Sequence, residues 1–337
     1  MAGFLWCCLP TAGSAQQDPM FTKYVFNSLV FNPAYAGSLY YLSVNLLYRE
    51  QWAGWGSRFR EPDNGAPITQ SLTLHGPMGK RIGVGLNVIN DVIGARQTTS
   101  VNATYAYRID FGTGKLAFGI QGGAMYWRAD WRKLNERDPG DPVFAASPSA
   151  WIPNVGAGLY YHSRFFYVGV SAPHLLQVDL PLDGVRVGAD NATARLYRHY
   201  YLFTGGAIPL SGPNLVFKPS LLIKSVGALQ DFTGDGTSLN AIGAPTEFDV
   251  DVSLFMQQTL WVGMSFRSAL EAVFAGKSSV DSADFWAAYY LKNGFRIGAA
   301  YDFPLNDLRR HTNGSFELML GYDFQYNVIK TATPRYF

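Results

Sequence analysis

The sequence predicts an all-β protein, a transmembrane antiparallel up-and-down β-barrel of about 14 strands with short periplasmic turns and long extracellular loops. Three observations predict it. Apolar and polar residues alternate with period two over long segments: in 246–257, Phe248, Val250, Val252, Leu254 and Met256 interleave with Glu247, Asp249, Asp251, Ser253 and Gln257, which gives a strand one greasy and one polar face. The connections between such segments alternate between tight and long, as in a membrane barrel. Of the 337 residues, only 15% are charged, against 48% hydrophobic, 15% aromatic and 35 glycines, well below the roughly one quarter charged that globular proteins carry.

Taken in order, the chain opens on the apolar "FLWCCLP", followed by "TAGSA" and the polar "QQDPM". Small residues at Gly13 and Ala15 before a polar switch read as a signal peptide, residues 1–15, cleaved after Ala15, although the opening lacks the usual positive charge. Both cysteines, Cys7 and Cys8, fall within it, and the bulky Trp6 disfavours lipid attachment at Cys7. Residues 16–38, including "FNSLVFNPAYAGS", are too apolar for a free tail and too broken for a strand, so they are expected to pack against or into the periplasmic mouth as a plug.

The barrel is expected over 39–327, with a tail at 328–337. Its strands fall near 39–52, 66–77, 81–91, 96–110, 115–128, 152–162, 164–173, 196–209, 214–226, 246–257, 259–270, 281–292, 294–304 and 314–327. Most exceed the five or six residues usual in globular sheets and reach the length a tilted strand needs to cross a bilayer. "GPMGK", "DFGTGK", "HSR", "LSGPN", "QQT" and "KNG" are the tight turns, while 128–151, 174–195 and 226–245 are the longest loops. Lipid-facing sets are Ile82, Val84, Leu86 and Val88; Leu215, Phe217, Leu221 and Ile223; Phe295, Ile297, Ala299 and Tyr301; and Phe316, Leu318, Leu320 and Tyr322. Arg81, Asn87 and Asp91 are expected on the opposite face. Trp52, Trp55, Trp127, Trp131 and Trp151 gather at the long-loop ends, where an interfacial girdle belongs. Pro219 lies inside a strand and predicts a bulge or kink. Closure is required, because an open edge leaves backbone groups unsatisfied in hydrocarbon.

Arg49, Lys218, Lys224, Asp249, Asp251, Arg267, Arg296, Asp302, Glu317 and Asp323 are expected to line the lumen. They fit either interior ion pairs that fill the barrel or a selective aqueous path. Fourteen strands lie between the filled eight-stranded barrels and the open ones of 16–18 strands.

Lys plus Arg number 27 and Asp plus Glu 25, so no basic excess points to nucleic acid. His75, His162, His174, His199 and His311 are scattered and read as single surface histidines without metal-ligand spacing. Ser171 in "GVSAP" lacks the second glycine of a nucleophile elbow. Asp231, Thr233, Asp235 and Gly236 imitate a calcium loop, but Ile242 stands where the bidentate Glu belongs. "GIQGG" has no Lys-Ser/Thr for phosphate. No catalytic, cofactor or metal residue is expected, and the chain does not read as an enzyme.

The ordered set "QDPMFTKYVFN", "FNPAYAGS", "YREQWAGW", "APITQSL", "IGVGLNVINDVIG", "ATYAYRI", "PNVGAGLYYHSRFFYVGVSAPHLL", "LVFKPSLLIK", "FRIGAAYDFPL", "FELMLGYDF" and "PRYF" resembles the PorP/SprF family of Bacteroidota, outer-membrane proteins of type IX secretion and gliding motility. "SRFREPDNG" departs from that pattern. The resemblance implies a bacterial outer-membrane component that supports export or surface attachment of large secreted proteins. Its implied partners are type IX secretion components, substrates with a C-terminal sorting domain such as adhesins, a periplasmic OmpA-like protein and outer-membrane lipid. The alternative is a transport channel for a small or lipophilic solute.

Overall fold

The computed structural model describes residues 19–53, 65–133, 147–179, 195–226, 246–270 and 280–324. The expected signal peptide, Trp55, most of "SRFREPDNG", the calcium-like loop and the tail lie outside the described residues. Fourteen strands form one antiparallel ring: β1 (Leu42–Glu50), β2 (Ile68–Met78), β3 (Ile82–Ile93), β4 (Arg96–Phe111), β5 (Gly114–Ala129), β6 (Ser149–His162), β7 (Phe166–His174), β8 (His199–Gly206), β9 (Leu215–Val226), β10 (Glu247–Met256), β11 (Leu260–Ala269), β12 (Val280–Tyr290), β13 (Phe295–Pro304) and β14 (Ser315–Phe324). Each pairs with the next, and β1 pairs with β14 from Leu42↔Phe324 to Glu50↔Phe316, so the ring closes. Closure leaves the ring without an open edge, which a bilayer demands.

The period-two pattern sets the two faces. Val84, Leu86, Val250, Val252, Leu318 and Leu320 are exposed on the outside, while Asn87, Asp249, Asp251 and Glu317 between them are buried. Tight turns use left-handed backbone: Gly79 has φ +76° between β2 and β3, and Gln257 and Gln258 have φ +49° and +54° between β10 and β11. Two successive positive φ values give a hairpin turn the hand that matches the twist of its strands.

Several expectations change in detail. Arg81 sits exposed in the turn before β3, with its guanidinium near the Tyr107 hydroxyl, and does not line the lumen. Trp151 is 70% exposed and stands outward against Tyr126, as a girdle residue does, but Trp127 is 3% exposed and packs inward on Ile152 and Trp131. Pro219 makes no bulge. The β9–β10 register runs unshifted from Leu215↔Met256 through Pro219↔Val252 to Lys224↔Glu247. Its missing N–H is felt on the other side, where the ladder breaks between Gly205↔Ser220 and Ile208↔Phe217 and ends β8 at Gly206.

The N-terminal segment runs inside the ring. It carries 3₁₀ turns at Tyr24–Phe26 and Pro33–Tyr35 around a single helical turn, α1 (Ser28–Phe31). Asn32 ends that turn and caps the next, its Oδ1 accepting the Ala34 N–H at 2.8 Å. The segment fills the lumen well beyond the mouth. Gly37 lies by His75 near the short-turn end of β2, whereas Thr22 reaches Glu317, two residues from the long-loop end of β14. The core of the protein is therefore the bore. Phe21, Tyr24 and Phe31 pack with Tyr160, Tyr167, Tyr201 and Phe203, and Phe26 meets Trp261 and Trp286 edge-on at 5.5 and 5.2 Å. Each aromatic pair of this kind adds about 0.5–1.5 kcal/mol beyond area burial.

Candidate functional site

The plug meets the wall by two kinds of contact. On one side, glycines clear space for its backbone. A Cβ added to Gly83 would stand 2.0 Å from the Ala36 carbonyl oxygen, one on Gly119 2.1 Å from the Ala34 nitrogen, and one on Gly158 2.2 Å from Asn32 Oδ1. Asn32 Nδ2 donates to the Leu159 carbonyl at 2.9 Å and the Val170 carbonyl at 3.3 Å. Ser171 donates to the Phe31 carbonyl at 2.6 Å, so this serine anchors the plug.

On the other side the contacts are ionic and buried. Lys23 Nζ lies 2.6 Å from Asp251 Oδ1 and also donates to Ser265 Oγ. Glu317 accepts the backbone N–H groups of Thr22 and Lys23 at 2.7 and 3.2 Å. Arg49 donates to Thr22 Oγ1 and to Asp302 Oδ2, the latter at 2.6 Å, and lies 3.6 Å from Glu317. Arg267 grips Asp249 with two nitrogens at 2.7 and 3.1 Å and gives a further bond to the Phe21 carbonyl at 2.9 Å. Lys224 approaches Asp249 and Glu247 at 3.4 and 3.5 Å.

Seven of the ten residues expected to line the lumen thus gather around the plug's leading end: Arg49, Lys224, Asp249, Asp251, Arg267, Asp302 and Glu317. Arg296 and Asp323 pair separately at 3.1 Å near the short-turn end, sharing the Ser43 hydroxyl. Lys218 sits 3.8 Å over the Trp261 ring. Sequence reading missed Lys23, Ser265 and Asp284. Lys23 is the one charge in 19–38, and Asp284 alternates with Trp286 as a period-two face requires.

The histidines differ from the surface reading. His75 accepts the Gly37 N–H at 3.1 Å and lies edge-on to Tyr35, His162 stacks on Tyr160, and the His174 and His199 rings lie 5.6 Å apart. His75 is interior because the plug gives it Tyr35 and Gly37 to pack on; His311 alone among the described histidines is exposed. Among the described residues no group of three or more His, Cys, Asp or Glu is placed to hold a metal. At the outer mouth, the Arg132 guanidinium, 2.9 Å from Asp130, holds that carboxyl below its ordinary range.

A closed fourteen-stranded barrel with a lipid-facing exterior and a bore filled by its own N-terminal segment is an outer-membrane β-barrel protein. The chain belongs to the type IX secretion system membrane protein PorP/SprF family, which matches residues 13–322. No curated protein matches its sequence. Solved structures similar in fold include the Ralstonia pickettii toluene transporter TbuX, at 10% identity over 90% of this chain and 94% of its own, with a TM-score of 0.54. The CymD monoaromatic hydrocarbon channel has 12% identity over 90% and 94%, with a TM-score of 0.52. The P. putida toluene transporter TodX has 9% over 89% and 95%, with a TM-score of 0.51. These three share the fold.

Proposed function

We propose that the protein is a plugged docking barrel of the type IX secretion and gliding machinery, supporting export or surface attachment of large secreted proteins. The observation that carries this reading is the plug, which ion pairs and a glycine cradle hold inside the bore. A bore filled by protein passes no polypeptide, so the working surfaces are the two rims. The periplasmic turns face secretion components and an OmpA-like partner. The long loops face substrates carrying a C-terminal sorting domain, adhesins among them. Residues 1–15 direct export, and the ten lumen residues stabilise and seal the barrel instead of selecting ions. The role is structural and binding, without catalysis.

A deletion strain tests the reading by quantitative proteomics of surface and periplasm. The expected result is loss of particular large surface proteins, restored by the full chain, together with co-purification of secretion components with the detergent-solubilised barrel. Normal surface export with lost uptake of a small lipophilic solute would overturn it and make the barrel a transport channel.

A further inference from the structure

We infer that the upper length of β6, residues 149–153, is a docking edge that takes an extended segment of an exported polypeptide as an added strand; the inference rests on the docking role proposed above. On one side β6 is paired along its whole length, up to Arg128↔Ser149 with β5. On the other it pairs with β7 only from Ala157↔Ala172 to His162↔Tyr167, with one more bond from the Leu175 N–H to the Val155 carbonyl. There the ring closes, and β6 rises past it. Among the described residues no strand pairs with 149–153 on that side. The nearby pair Val178–Asp179 and Arg195–Leu196 bonds only to itself, its Val178 and Leu196 packing on the cluster of Trp127 and Ile152.

The main-chain groups left over can be named. Residues of an antiparallel strand bond alternately to one neighbour and the other. The Ala129 N–H donates to the Pro148 carbonyl on the β5 side, and Leu175 reaches Val155 on the β7 side. Even-numbered residues of β6 therefore serve β5, and odd-numbered ones turn the other way. The N–H and C=O groups of Ser149 and Trp151 and the C=O of Pro153 point to the open side. The side chains of all three are exposed, Trp151 at 70%. Pro153 fits the same reading, because proline is confined in sheets to positions whose missing N–H would have faced outward from an edge. A row of unpaired donors and acceptors on an exposed edge is a template for a further strand.

Position and direction select the occupant. Trp151 stands outward against Tyr126, ring centroids 5.0 Å apart, so the edge lies at the outer surface of the membrane, at the long-loop mouth. A second copy of the barrel does not fit it. Copies in one membrane stand the same way up, and with strands tilted about 35–45° two facing β6 strands would cross at roughly 70–90° and could not form a ladder. A segment arriving from outside can align freely. Its side chains would alternate between the inner face, beside Ala150 and Ile152, and the outer face, beside Trp151. Cross-strand neighbours of this kind favour β-branched and aromatic residues, so the segment that fits is an apolar one of few charges.

Amide hydrogen exchange on the purified full-length barrel reads the edge. In the free barrel the Trp151 amide is expected to exchange at least tenfold faster than those of Ala150 and Ile152, which β5 holds; equal protection overturns the open edge. The probe for the occupant is a purified surface protein that the deletion strain fails to display. Its addition is expected to slow exchange at Ser149 and Trp151 at least tenfold. Ser149→Pro removes an edge donor without touching a bond to β5 and is expected to weaken binding at least tenfold, while Ser149→Ala stays within twofold; an unchanged heat-modifiable band shows that both variants are folded. Full binding with both amides still exchanging freely overturns the edge site and leaves the docking role standing. No binding of the surface protein to the wild-type barrel overturns both. Protection that rises with barrel concentration in the absence of that protein overturns the occupant by making it a second copy.

Discussion

The two sides of the bore hold the same short segment by opposite means. The β3–β7 side removes matter: Gly83, Gly119 and Gly158 bring the plug backbone against the wall, and the contacts there are van der Waals and neutral hydrogen bonds. The β10–β14 side, with β1, adds charge: Lys23, Arg49 and Arg267 meet Asp251, Asp302, Glu317 and Asp249 out of water. A steric fit depends on shape alone and does not respond to solution conditions. A buried ionic fit is costly to assemble, contributes little net stability and is strongly destabilised when one partner is lost. The difference teaches that one side seats the plug by shape and the other holds it by buried charge, where losing a single partner costs most.

Breaking the ionic side should cost most. Arg49→Ala strands Asp302 and Glu317 without their cation, and a loss of about 3–5 kcal/mol is expected from removing one member of a buried network. The urea midpoint for loss of the compact, heat-modifiable electrophoretic band measures it. Breaking the cradle comes next. Gly119→Ala forces a methyl group into the Ala34 and Pro33 backbone, and overpacking of this kind costs about 1–3 kcal/mol in the same assay, with no dependence on pH. Combining changes sharpens the contrast: Arg49→Ala and Gly119→Ala should add, whereas Arg49→Ala and Glu317→Gln should depart from additivity by about 0.5–3 kcal/mol, because they share a network. Smallest is Arg132→Ala at the outer mouth, where the pair with Asp130 is solvent-exposed; the midpoint should not move, and a shift would mean that the mouth takes part in holding the plug.

How much of this was legible follows from what the bore contains. The strands were readable because lipid on one side and a polar lining on the other enforce period two, and the fourteen predicted segments fall on the fourteen observed strands. The rule fails where the plug supplies an apolar partner inside. Trp261 and Trp286 point inward against Phe26, and His75 against Tyr35 and Gly37, although a polar lumen would have sent the tryptophans to the membrane interface. The depth of the plug was illegible because three short turns have no periodicity to read. That Lys23 would meet Asp251 and Glu317 was equally illegible, because they lie more than two hundred positions away in the chain, a distance no local pattern spans.

The splice between plug and wall has its own consequence. Gly37 lies five residues before Leu42, where β1 begins, and β1 is the strand that meets β14 to seal the ring. Stopper and zip are thus neighbouring lengths of one thread. A pull that drew the stopper towards the periplasm would load the zip directly, and slack introduced along the β1–β14 seam would travel straight back to the stopper.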